Sequence, residues 1–185
     1  MIDLAHLEKY RENNRLEAKL ATGGLPHSIW ETYSAFANSY GGVILLGVEE
    51  LPDRSLRVQG LLDPQGMVEE LIAGLDDPAV VSINLLGEED IQILHVDGGD
   101  IVAVMVPMAP RDQLPVYIGR DLRRGSYRRS GDGDYHPGGA ERYAGRTVPL
   151  STFCGQKARC NRKFTGKNLN ATGNWFRLHL GFGML

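Results

Sequence analysis

The feature that most constrains the fold is the run Val43–Val48, V-I-L-L-G-V, which contains no polar side chain. Successive side chains of a β-strand point to opposite faces of the sheet, so a strand with this pattern is buried on both sides. Gly41 and Gly42 precede the run, and glycine is typical of the end of a helix. The run therefore predicts a central strand that follows a helix.

The segments before this run predict a strand and then that helix. Residues 15–20, R-L-E-A-K-L, alternate between charged and apolar side chains. This predicts a half-buried strand with Glu17 between two cations on its polar face. Apolar and aromatic residues at helical spacing predict a helix over 26–40. Its aromatic residues, Tyr40 included, are expected in the core, and Asn38 is expected to be a capping or turn residue.

The second half of the chain predicts one more helix and several hairpin strands. Asp63 and Pro64 suit the start of a helix, because aspartate caps a helix and proline fits its first turn. Strands over 91–96 and 101–106 flank a turn at 97–100. Further predicted elements are a helix over 3–12 and strands over 56–61, 80–86, 116–118 and 126–129. This order predicts the α+β class, with a mixed, largely antiparallel sheet packed by two or three helices.

Charge is distributed unevenly along the 185 residues. All 23 acidic residues lie at or before Glu141, and no acid follows them. Residues 137–185 also lose the apolar periodicity, so we expect a domain over 1–136 and a basic, disordered or atypical tail over 137–185. No apolar run approaches the roughly 20 residues of a membrane span, and the first residues do not resemble a signal peptide. We therefore expect a cytoplasmic protein with no membrane partner.

A cluster of basic and aromatic residues is the first candidate site. Arginine suits phosphate oxygens and tyrosine can stack on exposed bases, which together suit a nucleic-acid groove. The alternative is an arginine-rich strand paired with the many acids of the domain. The cluster consists of Arg120, Arg123, Arg124, Arg128 and Arg129, with Tyr117 and Tyr127 among them.

Several motifs together resemble one known family. Residues 11–19, R-E-N-N-R-L-E-A-K, resemble the E-x4-E-[FA]-K opening of the Schlafen-type AlbA domain, an AlbA-like DNA-binding domain. Residues 34–42 resemble its S-A-F-A-N-x-x-G-G segment, and residues 43–50 resemble the strand that follows. Residues 115–117, P-V-Y, and 125–131, G-S-Y-R-R-S-G, resemble two later elements. The resemblance covers about residues 10–135.

The resemblance implies an AlbA-like domain that binds nucleic acid, often within transcriptional regulators. In animal Schlafen proteins the same core can be a metal-dependent RNA endonuclease with a three-carboxylate site. Carried over by motif, that site consists of Glu12, Glu17 and Glu50, although the family usually has aspartate at the last position. Carboxylates suit Mg²⁺ or Mn²⁺, and Lys19 lies on the same strand face as Glu17, where it could steady a phosphate. The alternative is a solvated strand face and a charged strand end.

Three functions follow from these observations. The first is a nucleic-acid-binding module, with DNA as the first expected ligand and no catalysis or cofactor. The second is an endoribonuclease that uses Mg²⁺ or Mn²⁺. The third is a protein-interaction domain, because fold alone does not determine function. The expected partners are DNA or RNA, and a second copy of the chain is also considered.

Overall fold

The computed structural model describes residues 12–131 and 133–136. A four-stranded sheet is formed by strands in the order β1-β2-β6-β5. Strand β1 is parallel to β2, and the other two pairs are antiparallel. The sheet is therefore mixed and largely antiparallel, which confirms the predicted α+β class. Its strands are β1 Leu16–Lys19, β2 Gly42–Leu46, β5 Ile91–Val96 and β6 Gly99–Val106.

Three helices and two small hairpins complete the described fold. The hairpins, β3 with β4 and β7 with β8, are both antiparallel. A short 3-10 turn over Glu88–Asp90 leads into β5. The helices are α1 Ile29–Ala37, α2 Pro64–Leu75 and α3 Leu122–Gly125, and the hairpin strands are β3 Val48–Glu50, β4 Leu56–Val58, β7 Arg128–Ser130 and β8 Gly133–Tyr135.

Both faces of the central strands are buried, as the run over 43–48 predicts. On one face Ile44 and Leu46 pack with α1 and α2 in the larger core. On the other face Val43 and Leu45 pack with Val48 and other residues of the β3–β4 hairpin. The α1 side also holds the polar residues of β1, because Glu17 is opposite Ile44 in the register of the parallel pair. The functional candidates on β1 are therefore on the helix side of the sheet.

The helix boundaries follow from local chemistry. Asp63 caps α2 by accepting a hydrogen bond from Gly66 N at 2.8 Å. Helix α1 ends before Gly41, whose φ of +68° lies in the left-handed region. A side chain at Gly41 would also meet Val106 O at 2.8 Å. Glycine is needed there for both its conformation and its lack of volume.

Five predicted elements differ in the structure. The strand over 80–86 does not form; Val81 instead makes an isolated bridge to Ile118. This segment uses its apolar residues to pack against the larger core without joining the sheet. The helix over 26–40 is shortened, and Tyr40 is exposed because it follows the end of α1. The strands over 56–61 and 126–129 are replaced by the shorter β4 and β7, and residues 116–118 form bridges only.

Two predictions fall outside the described residues. The helix over 3–12 lies almost entirely outside them, and so does the tail over 137–185, so the proposed domain boundary remains a prediction. Among the residues described, the helices are all too short or too polar to cross a membrane.

Residues 117–126 form a closed loop before β7. Tyr117 and Ser126 form an antiparallel bridge, and Ile118 N donates to Gly125 O at 2.9 Å. The backbone at Gly125 lies so close to Ile118 that a Cβ atom there would overlap the Ile118 carbonyl oxygen. The loop can close in this way only with glycine at position 125.

We expect Gly125→Ala to lower the free energy of unfolding by about 1–3 kcal/mol, the usual cost of an added group in a packed site. Chemical denaturation measures the change. Gly23→Ala is the control, because a Cβ there meets nothing within 4 Å. Equal stability of the two variants would contradict the close approach.

Candidate nucleic-acid interface

Two polar residues of the α1 region, Ser34 and Asn38, form hydrogen bonds with the backbone of the segment that contains the arginine cluster. Asn38 accepts a hydrogen bond from Val116 N at 2.8 Å and donates to Val116 O at 2.6 Å. It also donates to Tyr127 O at 3.0 Å. Ser34 Oγ donates to Val116 O at 2.9 Å and accepts from Tyr127 N at 3.0 Å. Asn38 follows the last residue of α1, as predicted, but its amide joins two distant segments and is buried, away from solvent.

Arg129 is buried beneath this segment and does not face solvent. Its side chain is 1% exposed, and its guanidinium lies 5.2 Å from the centre of the Phe36 ring. Nη2 donates to Glu17 Oε2 at 2.6 Å, and Nη1 donates to Asp134 Oδ1 at 2.8 Å. Nη2 also donates to Asn13 O at 3.1 Å. For this residue the structure supports the alternative interpretation, an arginine paired with acids of the domain.

The ion pairs around Arg129 continue into neighbouring elements. Lys19 Nζ lies 2.9 Å from Glu17 Oε1, with the two side chains 12% and 13% exposed. Asp134 Oδ2 accepts from Thr32 Oγ1 of α1 at 2.9 Å. We call Lys19, Glu17, Arg129 and Asp134 the ion-pair cluster. Its two cations balance its two carboxylates, and it connects β1, α1 and the β7–β8 hairpin.

The charge on Arg129 is stabilised by its partners. Burial alone would lower the pKa of Arg129, but the hydrogen bond to Asp134 and the charge of Glu17 outweigh it and raise that pKa. A buried charge that loses its partners costs several kcal/mol, because its desolvation is no longer compensated. The cluster is therefore expected to hold the hairpin firmly only while all its members remain charged.

The remaining arginines are placed differently. Arg120, Arg123 and Arg124 are exposed in the segment 119–124, here called the arginine loop. Asp121 Oδ1 accepts from the backbone N–H of Arg123 and of Arg124, which fixes the start of α3. The Arg124 side chain is 91% exposed, with Asp121 Oδ2 at 3.8 Å.

Most of these arginine side chains have no ionic partner. Within residues 12–131 and 133–136, the side chains of Arg120, Arg123 and Arg128 make no hydrogen bond or ion pair. Arg128 neighbours Arg129 on β7, where alternate residues point to opposite sides, so its side chain points away from the ion-pair cluster. These guanidinium groups are available to an external anion.

The two predicted tyrosines are partly enclosed. The Tyr127 ring lies 4.1 Å from the His136 ring, between centroids. Burial raises the pKa of Tyr127, and the nearby carboxylate of Glu31 raises it further. Tyr117 is half-buried. Its backbone carbonyl oxygen accepts a hydrogen bond from Ser82 N at 2.8 Å, and its backbone N–H donates to Ser82 Oγ at 3.0 Å. The structure therefore leaves each tyrosine with limited surface for a base.

The three predicted carboxylates lie in one region of the molecule. Burial raises the pKa of Glu12, and the negative charges of Glu17 and Glu50 raise it further. Glu12 Oε1 accepts from Ala18 N at 2.9 Å, on the edge of β1 that is not paired with β2. The side chain of Glu12 thus satisfies a backbone donor on the sheet edge. Glu50 is exposed at the end of β3.

The oxygens of Glu17 are held by cationic side chains in this structure. Both oxygens of Glu17 are engaged, one by Lys19 and the other by Arg129. The Glu17 side chain is mostly buried, which differs from the solvated face considered from the sequence. In the part of the chain that the structure describes, no three His, Cys, Asp or Glu residues are grouped to hold one metal. Lys19 forms an ion pair with Glu17.

Two residues of this region had no clear signal in the sequence. Asp134 lies five positions after Arg129, and only the β7–β8 hairpin brings them together. Ser39 accepts from Arg129 N at 3.0 Å, directly after the recognised Asn38. Both contacts depend on tertiary structure, so spacing alone does not reveal them.

Comparison with known proteins agrees with this architecture. Residues 12–137 match the family model described as Schlafen, AlbA_2. The chain belongs to the Schlafen AlbA_2 family. This covers more than half of the chain and confirms the resemblance drawn from its motifs. A comparison with curated proteins gives no significant match.

Two solved structures resemble this Schlafen AlbA_2 domain. One is the solution NMR structure of the N-terminal domain of a RecG-related protein from Nitrosomonas europaea. It is 31% identical, has a TM-score of 0.55, and the match covers 73% of this chain and 93% of that chain. The other is the crystal structure of the DIP2311 protein from Corynebacterium diphtheriae, at 17% identity and a TM-score of 0.44, covering 66% of this chain and 25% of that one. The second match supports no argument about function.

Arg129→Met should lower the free energy of unfolding by about 3–5 kcal/mol, because Glu17 and Asp134 lose their shared buried cation. Urea unfolding measures the loss. Arg128→Met is the matched control on the next residue and should change stability by less than about 0.5 kcal/mol. Similar losses in the two variants would show that the ion-pair cluster does not stabilise the fold.

Proposed function

We propose that this Schlafen AlbA_2 chain is a nucleic-acid-binding domain of a transcriptional regulator, that DNA is its first ligand, and that it acts without catalysis. The observation that supports it best is the set of available guanidinium groups on the arginine loop and Arg128. Planar guanidinium forks match phosphate oxygens and form charge-assisted hydrogen bonds. The proposal includes a cytoplasmic location, where such a regulator meets its nucleic acid.

The way the arginine loop is supported favours binding over random surface charge. Asn38 and Ser34 fix the backbone at both ends of the segment 116–127. Asp121 fixes the turn inside it through the backbone of Arg123 and Arg124. A ligand therefore meets cations on an ordered backbone and orders fewer groups on binding, which reduces the entropic cost of association.

The comparisons support nucleic acid as the partner. The RecG-related structure takes its name from an ATP-dependent DNA helicase, and the match covers nearly all of that N-terminal domain. The acidic residues of the domain would repel a polyanion elsewhere on the surface, so contact should be limited to the basic segment. Phosphate contacts of this kind give affinity that depends weakly on sequence and strongly on salt.

The double variant Arg123→Ala, Arg124→Ala tests this proposal. It should weaken binding to DNA and RNA about tenfold at low salt, because two phosphate contacts are lost. The slope of log K against log salt should become shallower by about 2, since each phosphate contact contributes about 0.9. Fluorescence anisotropy over a salt series measures both quantities.

The control removes the same charge elsewhere. Arg54→Ala, Arg57→Ala takes two arginines from the β3–β4 region, on the other face of the sheet. It should change affinity and slope much less than the loop variant. Equal effects in the two double variants would mean that net charge, and not the arginine loop, determines binding.

A metal-dependent endoribonuclease remains the second candidate. The observation in its favour is the mutual proximity of Glu12, Glu17 and Glu50, expressed in the raised pKa of Glu12. The engagement of Glu17 by Lys19 and Arg129 opposes it.

The second candidate is tested with structured RNA and either Mg²⁺ or Mn²⁺. We expect no cleavage by the parent chain. Glu50→Gln is the diagnostic variant, because Glu50 is exposed and its change should not disturb folding. Metal-dependent cutting by the parent that disappears in Glu50→Gln would replace the first proposal with the second.

A further inference from the structure

Tyr40 is an exposed aromatic residue close to the basic segment. Its residue surface is 61% exposed, although its spacing along the helix predicts burial. Tyr40 is exposed, contrary to that expectation, because α1 ends at Ala37 and the chain turns before Gly41. Tyrosine is enriched at interfaces because it combines an apolar ring with a polar hydroxyl group.

The position of Tyr40 is fixed by its neighbours. Ser39 N and Gly41 N both donate to Phe36 O, at 3.1 and 2.9 Å. Gly41 packs closely against the backbone of Val106 and Met108. The ring is thus attached to a tightly bonded turn between α1 and β2, so little backbone entropy is lost when a ligand contacts it.

One face of the Tyr40 ring is next to a cation. The guanidinium carbon of Arg15 lies 5.9 Å from the ring centre, within the range of a cation–π contact. Arg15 is exposed, and its side chain has no ion pair among the described residues. Its backbone is fixed at the start of β1, where Arg15 O accepts from Val43 N at 2.8 Å. Tyr40 is 61% exposed with this contact in place, so much of its surface stays accessible to a ligand.

This pair lies beside the strand that carries Arg128. Ser39, the residue before Tyr40, accepts from Arg129 N of β7, and Asn13, two residues before Arg15, accepts from the Arg129 guanidinium. The segments that carry Arg15 and Tyr40 therefore both contact Arg129 of β7. Arg15 is a further exposed cation besides those of the arginine loop.

We propose that Tyr40 stacks on an unpaired nucleobase while Arg15 contacts the adjacent phosphate. This inference rests on the proposed nucleic-acid binding and deepens it, because it assigns a preference for single-stranded segments. An aromatic ring accepts any base through its π face but needs that base to be unstacked. Tyr40 is better suited to this role than Tyr117 or Tyr127, which are half-buried.

The test compares one labelled single strand with the duplex it forms with its complement. Tyr40→Leu should weaken single-strand binding about tenfold, the effect of losing one stacked base, and leave duplex binding unchanged. Tyr40→Phe should bind like the parent, because it retains the ring. Leu62→Ala is the control, since Leu62 is a fully exposed apolar residue beside α2.

A direct readout comes from Tyr40→Trp. Stacking of a base on the introduced indole should quench its fluorescence on addition of single strand, beyond any quenching seen in the parent. Circular dichroism and thermal melting should show that every variant folds, because position 40 is exposed.

The outcomes separate the two proposals. If the parent binds neither strand nor duplex at low salt, the proposed function fails. If the parent binds but Tyr40→Leu binds the single strand as the parent does, or loses duplex and single strand equally, the stacking role is wrong while nucleic-acid binding remains. Binding of duplex alone by the parent also overturns the stacking role.

Discussion

The contact between Arg129 and its two carboxylates is the interaction on which the arrangement of this surface depends. Glu17 is on β1 and Asp134 is on β8, so a single guanidinium joins the edge of the main sheet to the last hairpin described. Helix α1 is joined to the same group of residues, because Thr32 Oγ1 donates a hydrogen bond to Asp134 Oδ2. The four side chains of the cluster are at most 13% exposed, so their charges interact strongly. Removing one of them leaves the desolvation cost of the others uncompensated.

Residues of the recognised family motifs make structural contacts in this chain. Ser34 and Asn38 bind the backbone of a distant segment, and Gly125 allows that segment to close. Glu12 satisfies a donor on the open edge of β1, and Glu17 pairs with two cations. The motif residues thus support the backbone of the arginine loop, whose residues 119–124 lie between two of the recognised motifs.

The sequence predicts the elements whose burial pattern is strong and local. The hairpin over 91–106 and the two-sided burial of the run over 43–48 are confirmed, because alternation or continuous apolarity directly reflects the sheet faces. The run is not one strand, however: the chain turns at Gly47, whose φ is +87°, and Val48 begins β3 of a separate hairpin. The segment 80–86 has a similar apolar content but packs as irregular chain, since burial alone does not require strand pairing. Arg129 and Tyr40 show the same limit for the candidate site. Arginine and tyrosine occur both at the surface and in the interior of proteins. Only their tertiary contacts therefore show that Arg129 is buried and that Tyr40 is exposed.

We propose that an ordered arginine loop, supported by α1 and the ion-pair cluster, is the nucleic-acid-binding surface of this Schlafen AlbA_2 domain. The most direct measurement is the change of backbone amide chemical shifts when the ¹⁵N-labelled chain is titrated with DNA. The account predicts that the largest changes lie within residues 117–128 and that the β3–β4 hairpin is unaffected. Changes centred on the β3–β4 hairpin, or no changes at low salt, would contradict it.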